Sequence, residues 1–365
     1  MSKAAELAKM GEVLTNSQIG GRRNIVINGA MQVSQRSTSA SSITSTGYHA
    51  LDRFQLLYTD AGTWTMSQSS TTPNGFANSL KLDCTSAKSS LASDSRLFLQ
   101  TKIEGQDVQQ FKKGTSDAEQ YTLSFHVRSN KTGTYQVNIE DNDNTRIVGS
   151  TYTISSADTW EKKEITFVAD TTGAFADDTG DSLAIMWALV AGTDNSSGAV
   201  PTAWEAKVNT DRGAGLNINL ADSTDNEWYI TGVQLEVGST ATPFEHRSPA
   251  EELRLCQRYF EVSGTGSDNP AGYNFKSMFV GVCHNTGYIP GQQFSVEKRA
   301  DATVVIFSRN GTSGKVSSFN TGSDEGNNHA INAGGVTGFH AVQRDGGTYT
   351  TGQGYEYGYT AEAEL

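Results

Sequence analysis

Short runs in which apolar and polar residues alternate recur along most of the chain. They include Ser79 to Leu82, Tyr121 to Arg128, Thr134 to Glu140, Ile147 to Ile154 and Glu161 to Phe167, and Leu97 to Ile103 and Leu183 to Val190 are further strand candidates. Period-two alternation bounded by Gly, Asn, Asp and Ser is the pattern of half-buried strands. Ala50 to Tyr58 and Thr63 to Met66 add two more such runs. Many strands joined by turns predict an all-β sandwich or barrel rather than βαβ units. Ser37 to Gly47 is a Ser/Thr tract without apolar period and reads as a loop, and Val108 to Phe111 as one helical turn.

Around residues 228 to 260 the pattern changes period. Trp228, Ile230, Val233, Leu235 and Val237 supply a strand whose alternation slips at Thr231-Gly232, as a bulge would make it. Ser248-Pro249-Ala250-Glu251 is a capping box with proline at the first helical position, and Leu253, Cys256 and Phe260 follow at helical spacing. Beyond it the chain is again rich in glycine and strand-like runs: Phe279 to Val282, Gln293 to Val296, Ala302 to Phe307 and Phe339 to Val342. It finishes in an alternation that places Tyr355, Tyr357 and Tyr359 on one strand face. At the other end, Leu7, Met10 and Leu14 form a one-sided stripe in a short helix. So short a helix needs a partner surface, either a three-chain bundle used for anchoring and trimerisation or, in the plainer reading, none at all in a frayed terminus. The expected organisation is residues 1–23 as helix and joint, 24–247 as a β-sandwich, 248–261 as a linking helix and 262–365 as a distal β-domain.

Composition narrows the function. The chain has 365 residues and a formal net charge of −12, and its lysines and arginines are not clustered, which argues against a nucleic-acid partner. No apolar run is long enough to cross a bilayer as a helix, and no charged n-region with an apolar h-region opens the chain. Three widely spaced cysteines, Cys84, Cys256 and Cys283, suit buried thiols better than a disulfide framework or a zinc set. The run Asp141-Asn142-Asp143-Asn144 lacks the glycine and glutamate of an EF-hand and reads as an Asx-rich turn. Asp177, Asp178 and Asp181 are the better calcium candidates, weighed against an ordinary solvated acidic turn; no other cofactor is indicated. No nucleophile elbow, HExxH or P-loop is present, and the histidines have no ligand spacing, so no catalytic residue is nominated.

Sugar binding is the chemistry the composition supports, because aromatic faces cover the C–H faces of sugar rings while amides and carboxylates take the hydroxyls. Trp64, Trp204, Tyr48 and Tyr58 in the sandwich, and Tyr355, Tyr357, Tyr359 and His340 in the distal domain, are the residues to examine, each against ordinary packing. Trp160 and Trp187, set in apolar strands, are expected to be packing residues.

Several motifs in order carry a resemblance: NIVINGAMQVSQ (24–35), KIEGQDV (102–108), YTLSFHVRSNKTGTY (121–135), and ITGVQLEVGSTATPFEHRS followed by LCQRYFE. The chain resembles tail-fibre and receptor-binding virion proteins of bacteriophages, notably phages of marine bacteria. That resemblance implies a non-enzymatic homotrimer with a carbohydrate-binding type of jelly roll. It implies attachment to other tail or virion proteins through the N-terminus, assembly in the host cytoplasm, and a host-surface glycan or receptor as partner. It also implies, by analogy with such jelly rolls, that the strand at Asn24 lies beside the one at Trp228 to Val237. A purely structural virion module and a polysaccharide depolymerase are the alternatives.

Overall fold

The computed structural model describes Lys3 and residues 23–263, 279–283, 288–326, 328–345 and 349–365. The expected helix carrying Leu7, Met10 and Leu14 lies outside the described residues. The fold is all-β. Contacts group the chain into two units: Met1–Met31, Ser41–Gly47 and Phe54–Arg247 form the first, and Gln32–Ala40, Tyr48–Arg53 and Ser248–Leu365 the second. The second unit therefore takes in two short stretches from within residues 24–247. Their arginines are the physical reason: Arg36 and Arg53 both pair with Glu364, and their guanidiniums lie over the rings of Phe260 and Tyr259.

The first unit is a jelly-roll sandwich of two antiparallel sheets. One has the order β1 (Ser39–Ile43), β3 (Thr63–Ser69), β4 (Ser79–Ser86), β12 (Glu227–Val237), β6 (Tyr121–Ser129) and β9 (Glu161–Phe167). The other runs β11 (Glu205–Ala206), β8 (Arg146–Ile154), β7 (Gly133–Asp141), β10 (Asp181–Ala191), β5 (Arg96–Glu104) and β2 (Gln55–Thr59). Strand β1 falls in the Ser/Thr tract expected to be a loop; pairing with β3 holds it, and only Ile43 of it is buried. Alternate residues meet between the sheets. Trp64, Met66, Leu82, Phe125, Trp228 and Ile230 come from the first sheet, Val137, Ile139, Ile185 and Trp187 from the second, and all are fully buried. The rings of Phe125 and Trp187 touch edge to face, 5.7 Å apart. Each such side chain stabilises the sandwich by roughly 1.5–3 kcal/mol relative to leaving it in water.

The Asn24 segment does lie beside β12, but as a turn rather than a strand. Ile25 N donates to Leu235 O at 3.2 Å and Val233 N to Gly29 O at 2.9 Å. Between them Asn24 Nδ2 donates to Val233 O, and its Oδ1 accepts from Leu235 N. Asn28 and Met31 adopt left-handed φ values of 60° and 57°, which breaks the alternation that Ile25 and Ile27 start. The bulge read at Thr231-Gly232 is present: the β12–β6 register shifts between Thr231 and Gln234, and Gly232 has φ 64°.

In the second unit the helix Pro249–Gln257 starts as its capping box requires, with Ser248 Oγ accepting from Glu251 N at 3.3 Å. It stops before Phe260, which enters β13 (Phe260–Val262). The long strand β20 (Gly354–Glu362) pairs with β13, β14 (Phe279–Val282), β16 (Thr303–Phe307) and β17 (Ser317–Ser318). A second sheet has the order β15 (Tyr288–Pro290), β19 (Phe339–Arg344), β18 (His329–Gly334). Gln293 to Val296, expected as a strand, is irregular, because Ser295 N is captured by the buried Glu261 carboxylate. Tyr355, Tyr357 and Tyr359 share one face as the alternation says, but that face is core, packed with Phe294, Ile306, Phe339 and Val342.

Candidate functional site

A sandwich has two outward sheet faces, and in this one they differ. On β7 the outward residues Gln136, Asn138 and Glu140 are buried under the chain between β10 and β12. Gln136 Nε2 donates to Asp211 O at 2.7 Å and Asn138 Nδ2 to Arg212 O at 2.8 Å. Arg212 grips Glu140 with two hydrogen bonds of 2.7 and 3.2 Å. Strand β7 of the second sheet is thus roofed, while Thr151 and Thr153 beside it on β8 stay exposed.

The outward face of the first sheet carries a band of rings. Strand register puts Ser67, Lys81, Tyr229 and Arg128 in one cross-strand row. Direct cross-strand neighbours have Cβ atoms about 4.5–5.5 Å apart. Trp160, immediately before β9, stands edge-on to Tyr229 with ring centres 6.1 Å apart. The Arg128 guanidinium lies 4.9 Å over the same tyrosine ring and the Lys81 ammonium 5.7 Å from it. These cations are matched locally: Arg128 Nη2 donates to Asp158 Oδ1 at 2.9 Å, and Lys81 and Tyr229 both donate to Glu227. The row is polar but close to neutral.

One row further along, His126 and Thr231 are register partners, and His126 opens a second group of rings. Phe76 stands 5.2 Å from His126, 5.1 Å from Phe244 and 5.3 Å from His246. Gly232 makes this seat available. A Cβ there would meet Phe76 Cζ at 2.7 Å and His126 Nδ1 at 3.0 Å, and its φ of 64° belongs to glycine. Phe244 and His246 are brought in by the chain that follows β12. Buried Gln234 and Glu236 reach out from the strand: Glu236 accepts from Thr242 N and Oγ1, at 2.9 and 2.7 Å, and Gln234 Oε1 accepts from Glu245 N at 2.9 Å. The stretch QLEVGSTATPFEH thus folds back across its own strand and lays two rings on the sheet face.

The electrostatics follow burial. Desolvation, with Lys162 nearby, holds the His126 imidazole below its usual pKa, so it is neutral near pH 7. Burial alone would raise the Glu227 carboxyl, but hydrogen bonds from Lys81 and Tyr229 outweigh it and keep the group below the ordinary range. Chemically the face offers the half-buried rings of Trp160, Phe76 and Phe244, a neutral imidazole and paired charges, with Tyr229 itself buried.

The residues nominated from sequence lie elsewhere. Trp64 is 0% exposed and donates to Ala61 O, so its ring has no free face. Trp204 is half-buried, donates to Val168 O and packs edge-on to Tyr121. Tyr58 donates to Gly62 O, and Tyr48, in the second unit, to Leu365 O. Tyr355, Tyr357 and Tyr359 are core, whereas His340 is exposed. Trp187 is core as expected, and Trp160 is half-buried, packed edge-on against Tyr229 at the sheet face. Of the calcium candidates, Asp181 is engaged by Lys102 and Asn142 and Asp178 by its own Gly180 amide. Among the described residues no group of three or more acidic, His or Cys side chains is placed to hold a metal. All three cysteines are free and buried.

No protein-family model matches the chain, and no curated protein matches it. Solved structures do. One is the enzymatically active domain of tailspike protein 4 of bacteriophage CBA120, at 14% identity and TM-score 0.30, covering 59% of this chain and 21% of that one. Another is a family 11 carbohydrate-binding module from Clostridium thermocellum in complex with a mixed-linked tetrasaccharide, at 9% identity and TM-score 0.28, covering 56% of this chain and 98% of that one. A third is the xylanase 10B modules of the same organism complexed with xylohexaose, at 10% identity and TM-score 0.27, covering 62% and 30%. The chain therefore spans about a fifth of the tailspike domain's own length. At such identities and TM-scores these likenesses carry no argument about what the chain does.

Proposed function

We propose that this chain is a glycan-binding protein and that the outward face of its first sheet is the binding surface. The observation that carries the reading is the ring band itself: Trp160 in one row, backed by the buried Tyr229, and His126, Phe76, Phe244 and His246 in the next. Ring faces take the apolar sides of sugars while Arg128, Asp158 and Glu227 beside them take hydroxyls. The near-neutral row favours uncharged saccharides over acidic ones. No reaction is needed for this role, and the chain acts by reversible binding.

The sequence resemblance supports a finer reading: a homotrimeric virion appendage that attaches a phage particle to its host's surface. Several copies in one appendage multiply weak sites by avidity; light scattering on the full chain reads the copy number, and a monomer would refute the trimer. The binding face is tested by screening the full chain on a panel of bacterial envelope polysaccharides and titrating the best binder into Trp160→Ala and Phe244→Ala. Loss of one stacked ring corresponds to about tenfold weaker binding. Undiminished affinity in both variants would refute the site, and release of reducing ends would assign a depolymerase instead.

A further inference from the structure

The second unit holds a cleft that is independent of the sheet face, with a volume of about 330 Å³. It forms where two segments run past the ends of β15 and β19. Pro290 is the register partner of Ala341, and beyond it the pairing continues outside regular strand: Gly291 N donates to His340 O, Phe339 N to Gln292 O and Phe294 N to Thr337 O, each at 2.9 Å. Two glycines allow the backbones to approach this closely. A Cβ on Gly291 would meet Phe339 O at 2.0 Å, and one on Gly338, at φ 156°, would meet Gln292 O at 2.4 Å. With the main chain satisfied in this way, the side chains of Gln292, Gln293, Thr337 and His340 are left to line the cleft.

The floor is rigid. Phe339 is buried against Phe294, Tyr357 and Tyr359, and Tyr357 Oη donates to Pro290 O at 2.6 Å. The walls are uncommitted. Gln293, Thr337 and His340 make no side-chain hydrogen bond with any described residue, and Gln292 gives only a long 3.4 Å bond from Nε2 to Tyr357 Oη. Two amides, a hydroxyl and an imidazole border it with donors and acceptors, and among the described residues no charged side chain lines it. An anionic or cationic ligand finds no counter-charge there. A hydroxyl-rich neutral one finds several partners, plus the apolar edges of Pro290 and Phe339.

We propose that this cleft is a second carbohydrate site, specific for a single neutral sugar residue. Its volume lies at the small end of ligand pockets, about 300–1,000 Å³, and it is open to solvent, which suits one ring set down from outside. The two sites then divide recognition between an extended saccharide on the sheet face and one residue in the cleft.

The test uses the full chain with methyl glycosides of glucose, galactose, mannose and N-acetylglucosamine as probes, read by the imidazole C–H signals in NMR. The His340 signal is assigned with His340→Gln and the His126 signal with His126→Gln. At least one glycoside shifts the His340 signal saturably, and Thr337→Trp, which plugs the cleft from an exposed position, weakens that binding at least about tenfold. Gln293→Ala provides the same reading without added bulk, should the tryptophan variant fail to fold. Silence of the His340 signal toward every probe overturns the proposal, as does unchanged affinity in the variant that folds. The two sites are read apart because Trp160→Ala leaves the His340 titration intact, whether or not the sheet face binds glycan.

Discussion

Gly232 sits where fold and proposed site meet, so Gly232→Ala tests both. Alanine at φ 64° takes on the left-handed penalty of an L-residue, about 1–2 kcal/mol. Its methyl would also stand 2.7 Å from Phe76 Cζ, which forces the ring off the sheet. Phe76 then gives up contacts with His126, Phe244 and His246, aromatic pairs worth about 0.5–1.5 kcal/mol each, of which partial relaxation recovers some. The expected loss is about 2–4 kcal/mol. Deleting the ring first removes the second contribution, so in a Phe76→Ala background Gly232→Ala costs only about 1–2 kcal/mol, a coupling of about 1–2 kcal/mol between the positions. Urea unfolding of the full chain and the three variants, followed by tryptophan fluorescence, measures this cycle. Equal cost in both backgrounds would refute the claim that Gly232 is there to seat Phe76, and no cost in either would refute the strained backbone as well.

Two further expectations concern buried charge. Lys113 is fully buried, with its ammonium 2.6 Å from Asp141, 3.1 Å from Asp170 and donating to the Thr172 and Gly173 carbonyls; Lys113→Met strands Asp141, leaves Asp170 to Arg146 alone among the cations, and destabilises the sandwich by about 3–5 kcal/mol. Burial would raise the Asp170 carboxyl, but Arg146, the Thr172 amide and Lys113 together hold it below the ordinary range, so its contribution is complete above about pH 4 and lost as pH falls further. Lys113 is one of the groups that lower the Asp170 carboxyl, so the variant has less of that contribution to lose: its Tm deficit is full at neutral pH and shrinks as pH falls below about 4, and a pH-independent deficit would count against this account. In the second unit, burial pushes Asp52 up to about 6 despite Arg36 and the Gln35 donors. A carboxyl raised in the folded state binds its proton more tightly there. Stability therefore falls by about 3 kcal/mol as pH rises from about 4 to 6, and Asp52→Asn removes that slope in urea midpoints.

The elements that sequence makes legible here are those whose signal is local. Alternation in Tyr121 to Arg128 marks a strand because every second side chain meets the other sheet, and Ser248-Pro249 marks a helix because the cap is made within four residues. The slip at Thr231-Gly232 is legible for the same reason. Strand β1 is not, since Ser39–Ile43 has no apolar period and is held by its neighbour's backbone.

The proposed site is less legible because it is assembled across strands. Alternation states that Trp228 and Tyr229 face opposite ways, and Tyr355, Tyr357 and Tyr359 the same way, but not which face is core. That is decided by what packs on each face, and for the tyrosines it is Phe294 and Phe339, far away in sequence. Phe76 sits in a turn-rich tract and Phe244 beside a proline, neither with any period, and they meet only because Gly232 clears a seat and Glu236 draws Thr242 back across β12. Trp160 follows the same logic. Read along the chain it looks like packing beside β9; read across the sheet it is the neighbour of Tyr229 and Arg128, and its ring stands at the surface. Aromatics that serve a sheet face are therefore found from register, which sequence alone specifies only through the few residues, such as Gly232, that pin it.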